Sequence, residues 1–100
     1  MDYGNVVAEH LRITILRLLV EEPGYSANDS LLRDLVPDFG FRPTRDSIRT
    51  QLAWLKEQGL VRLECNGGDC HVAHLTARGE EVARGYATVP GVKRPSPGGE

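Results

Sequence analysis

Long apolar runs are missing from this 100-residue chain: no stretch approaches the ~20 residues that a helix needs to cross a bilayer. No basic start leads through an apolar segment to a small-residue cleavage site, so no leader is expected either. These absences lead us to expect a cytoplasmic protein without a membrane partner. Cysteine is scarce, with two residues, and in that compartment they are expected as reduced thiols rather than as a disulfide on which the fold depends. A large charge of one sign is lacking too. The formal net charge of −2 argues against a protein that coats nucleic acid indiscriminately, an activity that relies on neutralising phosphates. The chain also has no Walker-type phosphate loop, no nucleophile elbow and no His-Glu-x-x-His helix. Glu9 and His10, like Glu80 and Glu81, read as solvated groups. No enzyme activity, cofactor or metal is expected.

The apolar fraction of 40% suits one small domain. Its organising stretch is Thr44 to Leu63, TRDSIRTQLAWLKEQGLVRL. Thr44 or Asp46 can cap a helix there, because a short side-chain oxygen accepts a hydrogen bond from a first-turn amide. Ile48, Leu52 and Leu55 fall at i, i+4 and i+7, on one side of that helix. Gly59 suits the left-handed position that ends it, and Leu60, Val61 and Leu63 start a strand. The opposite face carries Asp46, Arg49, Thr50, Ala53 and Glu57, with Ser47 and Trp54 along one margin. Slim or hydrogen-bonding residues of this kind are what a helix in a DNA major groove requires. Charge is distributed to match: residues 1–41 hold three basic and seven acidic side chains, whereas residues 42–62 hold Arg42, Arg45, Arg49, Lys56 and Arg62 against Asp46 and Glu57. Such asymmetry provides a one-sided surface for an anionic ligand.

Before this stretch, a first helix is expected from about Asn5 to Glu22, with Val7, Ala8, Leu11, Ile15, Leu18 and Leu19 on its core face. Val6, Ile13, Leu16 and Val20 lie roughly opposite. A helix apolar on two sides is either central in its domain or half covered by another subunit; a homodimer through this second set is expected, with burial under the chain's own C-terminal helix as the alternative. Pro23 and Gly24 break the helix. A second helix should follow near Ala27 to Val36, capped by Ser26 or Asn28, with Leu31, Leu32, Leu35 and Val36 buried. Pro37, Asp38 and Gly40 should end it, with Phe39 and Phe41 as apolar plugs of the turn. After the central stretch, Asn66, Gly67, Gly68 and Asp69 join two strand-like runs into a hairpin. Thr76 then caps a fourth helix, with Ala77, Val82, Ala83 and Tyr86 inward. Three prolines and three glycines among residues 88–100 read as a flexible tail, leaving residues 1–87 as the domain.

Three helices, a strand, a hairpin loop, a strand and a fourth helix make a mainly α protein with a small β-hairpin. That order resembles the winged helix-turn-helix fold of small bacterial transcription regulators. The resemblance is carried by W-L-K-E-Q-G-L-V at Trp54 to Val61 and H-L-T-A-R-G at His74 to Gly79. Within that fold the chain is similar to the ArsR-like group, and in particular to small regulators of Mu-like prophages. The resemblance implies a sequence-specific duplex-DNA-binding regulator whose recognition helix spans about residues 44–58. It places Thr44, Arg45, Asp46, Ser47, Arg49 and Thr50 at the groove, with Arg42, Lys56 and Arg62 on flanking phosphates. Asn66, Gly67, Gly68 and Asp69 would form the wing. Here the chain departs from a strong DNA-binding wing, which carries lysine or arginine where this one has Asp69 and Glu64.

Two other readings compete. Winged helices also serve as protein-interaction modules, so a host or phage protein is an alternative partner, because fold alone does not fix function. Cys65, Cys70 and His74 contain good zinc ligands, although strand alternation turns His71 to the opposite face. On the bland reading these are half-buried thiols and ordinary surface histidines, and Trp54 covers the edge of the core against the second helix or wing.

Overall fold

The computed structural model describes residues 3–36 and 42–95. Its elements are helix α1 (Tyr3–Glu21), strand β1 (Ser26–Asn28), helices α2 (Asp29–Leu35) and α3 (Arg45–Glu57), strands β2 (Val61–Asn66) and β3 (Asp69–Leu75), and helix α4 (Ala77–Ala83). The described part is thus an α+β fold with four α-helices and one three-stranded antiparallel sheet, in which β3 lies between β1 and β2. The expected ends of the second helix at Pro37, Asp38 and Gly40, and the plugs Phe39 and Phe41, lie outside the described residues.

β1 is the element that the sequence reading missed. Gly24 and Tyr25 both adopt positive φ, 67° and 55°, turning the chain after α1 so that Ser26, Ala27 and Asn28 pair with His74, Ala73 and Val72. Three residues carry almost no strand signal of their own; the partner strand supplies it. Asn28 then serves as the N-cap of α2, its side chain accepting from the Leu31 amide at 2.8 Å. The second helix therefore starts two residues later than expected. Its buried face also differs: Asp29 and Leu32 face inward, and Val36 just past the helix packs on the core, while Leu31 and Leu35 are exposed. Positions 29, 32 and 36 share one side of a helix. A leading aspartate disguises that side from a search for apolar periodicity.

α1 occupies the centre of the domain. Leu11, Ile15 and Leu19 are buried as expected, but so are Ile13 and Leu16 from the set assigned to a dimer interface. Helix α4 packs along α1, and α3 and β3 contact it elsewhere, so the chain covers its own second apolar face. Val6 and Val20 are half-buried. Two of the four residues of the expected dimer surface are therefore interior.

The H-L-T-A-R-G segment locks α4 onto the end of α3. The Thr76 hydroxyl lies 2.8 Å from the Gly59 carbonyl and 3.0 Å from that of Leu60, and accepts from the Gly79 amide at 3.0 Å. Gly79 lies so close to the Leu60 carbonyl that a β-carbon would collide with its oxygen. Val82 and Ala83 are buried as expected, whereas Ala77 and Tyr86 are not; Tyr86 is 80% exposed. The helix stops at Ala83 and Gly85 turns the chain with φ 83°, which removes Tyr86 from the helical phase. Residues 88–95, expected as flexible tail, pack back instead. Val89 is buried, Val92 packs against the core, and the Lys93 amide donates to the Glu9 carbonyl at 3.3 Å. Two valines spaced three apart, together with hydrogen bonds from the Lys93 amide and to the Gly91 carbonyl, dock a segment rich in proline and glycine. Residues 96–100 of the expected tail lie outside the described residues.

Leu52→Ala should lower the unfolding free energy in urea by about 2–5 kcal/mol, because its side chain is fully buried. Gly79→Ala should cost more than Gly59→Ala. The latter position is open, so only its positive φ of 78° opposes a side chain, at about 1–2 kcal/mol. Equal costs at both sites would mean that the Leu60 carbonyl can move aside.

Candidate functional site

Helix α3 forms as the sequence indicates. Thr44 caps it by accepting from the Ser47 amide at 3.0 Å, Ile48, Leu52 and Leu55 are buried, and Gly59 follows with positive φ. The opposite face is open: Arg42, Thr44, Arg45, Asp46, Thr50, Ala53, Lys56 and Glu57 are exposed, with Ser47 and Arg49 half-buried. The Thr50 hydroxyl donates to the Asp46 carbonyl at 3.1 Å, which leaves its oxygen as an acceptor toward solvent.

The two helix arginines are not loose. Asp29, at the start of α2, is 2% exposed and is the one buried charged residue among those described. Its Oδ2 accepts from Nε of Arg45 at 3.0 Å and from Nε of Arg49 at 2.5 Å, and its Oδ1 accepts from the Ser30 amide at 2.8 Å. Burial raises the carboxyl's proton affinity, but the hydrogen bonds from Arg49 and Arg45, the charge of Arg45 and the Ser30 amide together hold its pKa below the ordinary value. The carboxylate is therefore ionised at neutral pH. Arg49 continues the network, with Nη2 3.1 Å from His71 Nε2. His71 Nδ1 lies 3.7 Å from Asp29 Oδ2, too far for a hydrogen bond, and Nε2 lies 3.4 Å from Asp69. Asp29 and His71 were missed as site residues. The available signal was the spacing of Arg45 and Arg49, which sets two guanidinium groups one turn apart on the same face and invites a shared anion.

The hairpin differs from expectation in two ways. Asn66 pairs with Asp69, so Gly67 and Gly68 alone make the reversal, both with positive φ. Cys65 and Cys70 face each other with Cα atoms 3.9 Å apart and are joined by a disulfide, not held as thiols. A tight reversal brings the pair together whatever the compartment suggests. The bond consumes both thiolates that the metal alternative needed, while His74 engages Glu64 at 2.8 Å. Asn66, Gly67, Gly68 and Asp69 are exposed, as is Arg62 on β2. Trp54 is half-buried and packs on the core, with α1 and the C-terminal segment against its ring. The Arg12 guanidinium stacks 3.9 Å from its ring centroid and is held by Gln51 and the Gly91 carbonyl.

Asp29→Asn should destabilise the protein by about 2 kcal/mol at pH 7, as expected for hydrogen bonds to charged groups. The sign follows from the lowered folded-state pKa. The stabilisation is full above the ordinary carboxyl pKa of about 4 and is lost as pH falls through the folded value. Urea titrations of both proteins from pH 7 down to pH 3 should show the gap closing only below about pH 4; a constant gap would contradict the ion-pair assignment.

No protein-family model matches the chain, and no solved structure matches it. Two curated proteins are similar along most of its length. One, from Haemophilus influenzae and named only as an uncharacterized protein, is 37% identical over 78 residues, covering 78% of this chain and 76% of its own. The other, from Escherichia phage Mu, is 43% identical over 94 residues, covering 94% of this chain and 96% of its own, and is named Uncharacterized protein gp26. The chain thus belongs to the family of the phage Mu protein gp26.

Proposed function

We propose that the protein is a winged helix-turn-helix DNA-binding regulator that presents α3 to the major groove of duplex DNA. The observation that carries this reading is the open face of α3, on which a buried carboxylate orients two arginines. Each gives its Nε to Asp29 and Arg49 also sets Nη2 against His71, which leaves the remaining terminal N–H groups to meet phosphates or base edges without further ordering of the side chains. Element order supports the same reading, since α2 and α3 precede a hairpin whose tip is exposed beyond α3. Arg42, Lys56 and Arg62 are exposed and act in this reading as phosphate contacts, while Arg49 and Thr50 read bases. Regulation of transcription in the cytoplasm follows as the role of such a module.

A second reading has its own support. Leu31 and Leu35 stand exposed on α2, and Asp69 and Glu64 make the hairpin tip acidic. An interaction module for a host or phage protein would use these features.

Fluorescence anisotropy with a mixed-sequence duplex, repeated from low to near-physiological salt, separates the two. A DNA-binding protein should lose affinity with a slope of roughly 0.9 log units per log unit of salt for each phosphate neutralised. Lys56→Ala should reduce that slope by about one such step on every sequence alike. Arg49→Lys is the informative change at the groove, because it keeps a charge beside Asp29 while removing the guanidinium fork; sequence preference should fall and folding persist. Negligible affinity at the lowest salt by folded protein would favour the interaction module.

A further inference from the structure

The hairpin pairing is regular from Val61↔Leu75 to Glu64↔Val72 and then shifts by one, to Cys65↔Cys70 and Asn66↔Asp69. His71 is the residue left without a partner, a bulge on β3. Continuing the regular pairing would instead set Cys65 opposite His71 and Asn66 opposite Cys70, with Gly67, Gly68 and Asp69 as a three-residue loop. Two- and three-residue glycine loops are both good hairpin reversals. What separates the two registers is the disulfide, which joins residues that are directly opposite only in the bulged one.

We propose that Cys65 and Cys70 form a reversible thiol–disulfide site, exchanging with small dithiols, that holds the bulged register and thereby keeps His71 on Arg49. A one-residue slip would turn Cys70 and Asp69 to the other face of β3 and redraw the backbone on both sides of His71. Its hydrogen-bonding partner, Arg49 Nη2 at 3.1 Å, would then lose a fixed position. The bond is suited to exchange rather than to stapling the fold. Cys65 is exposed, where an attacking thiolate can reach it. The loop it closes is short, so it constrains the unfolded chain little. The core holds the base of the hairpin independently, through buried Val61 and Ala73. In the exchange, a dithiol's thiolate attacks Cys65 Sγ and Cys70 leaves as a thiolate that takes up a proton. The second thiol of the reagent then closes on the first, releasing Cys65. The reagent ends as a disulfide, and the protein has gained two electrons and two protons.

The full chain should be studied oxidised and after reduction with dithiothreitol, with mass spectrometry after alkylation and two-dimensional NMR of the Arg49 Nε–H and His71 ring signals. Both cysteines should alkylate only after reduction. The Arg49 and His71 signals should shift and return on reoxidation, while the Leu52 and Val82 amides stay in place. The double variant Cys65→Ser, Cys70→Ser should reproduce the reduced spectrum. Alkylation without reductant, or Arg49 and His71 signals indifferent to reduction, would overturn the proposal. Its consequence for duplex DNA rests on the reading proposed above: the oxidised form should bind at least about fivefold more tightly. Shifted signals with no duplex binding in either state would sink the DNA reading and leave the redox site standing. Equal, measurable affinity in both states would remove the coupling between them.

Discussion

Among the described residues, one buried carboxylate ties together three parts of this molecule. Asp29 belongs to α2, its guanidinium partners to α3, and the histidine beside it to β3. An unpaired buried charge is expensive enough that the surrounding structure must supply counter-charges or expel the group. The angle between α2 and α3 is therefore constrained by more than the fit of leucines, and the outward reach of Arg45 and Arg49 is constrained with it. Because both guanidiniums remain partly solvated, the arrangement avoids the full desolvation of a buried ion pair while still fixing where the cations stand.

What could be read from the chain divides along physical lines. Helix α3, its Thr44 cap, the terminating Gly59 and the Gly-Gly reversal were legible because each follows from contacts within a few residues. The start of α2 was not, since Ser26 to Asn28 become a strand only when β3 is alongside. Leu31 and Leu35 were assigned inward on hydrophobicity, although the helix turns its aspartate to the core. Ile13 and Leu16 looked like surplus apolar surface because periodicity along one helix does not reveal how many neighbours that helix has. The C-terminal segment is a related case: composition described Pro90 and Gly91 correctly as poor helix and strand formers, but said nothing of the valines on either side finding the core.

At the site the same division holds. The face of α3 was read from its phase, and its residues stand where that phase puts them. The network behind it was not readable, because it joins positions 29, 45, 49 and 71, and only the tertiary fold sets them side by side. The cysteines show the opposite weighting. A compartment argument outweighed the geometry of a reversal that the sequence had already disclosed.

The packing around Trp54 has a practical side. The chain contains one tryptophan, and its ring is overlaid by Arg12 while Gly91 lies close enough that a β-carbon there would strike the indole. A cation held over the ring and a backbone seated on its edge both alter the environment of the indole. The protein thus carries an optical probe at the seam where its C-terminal segment closes over α1 and α3. Its emission should report whether that seam is shut.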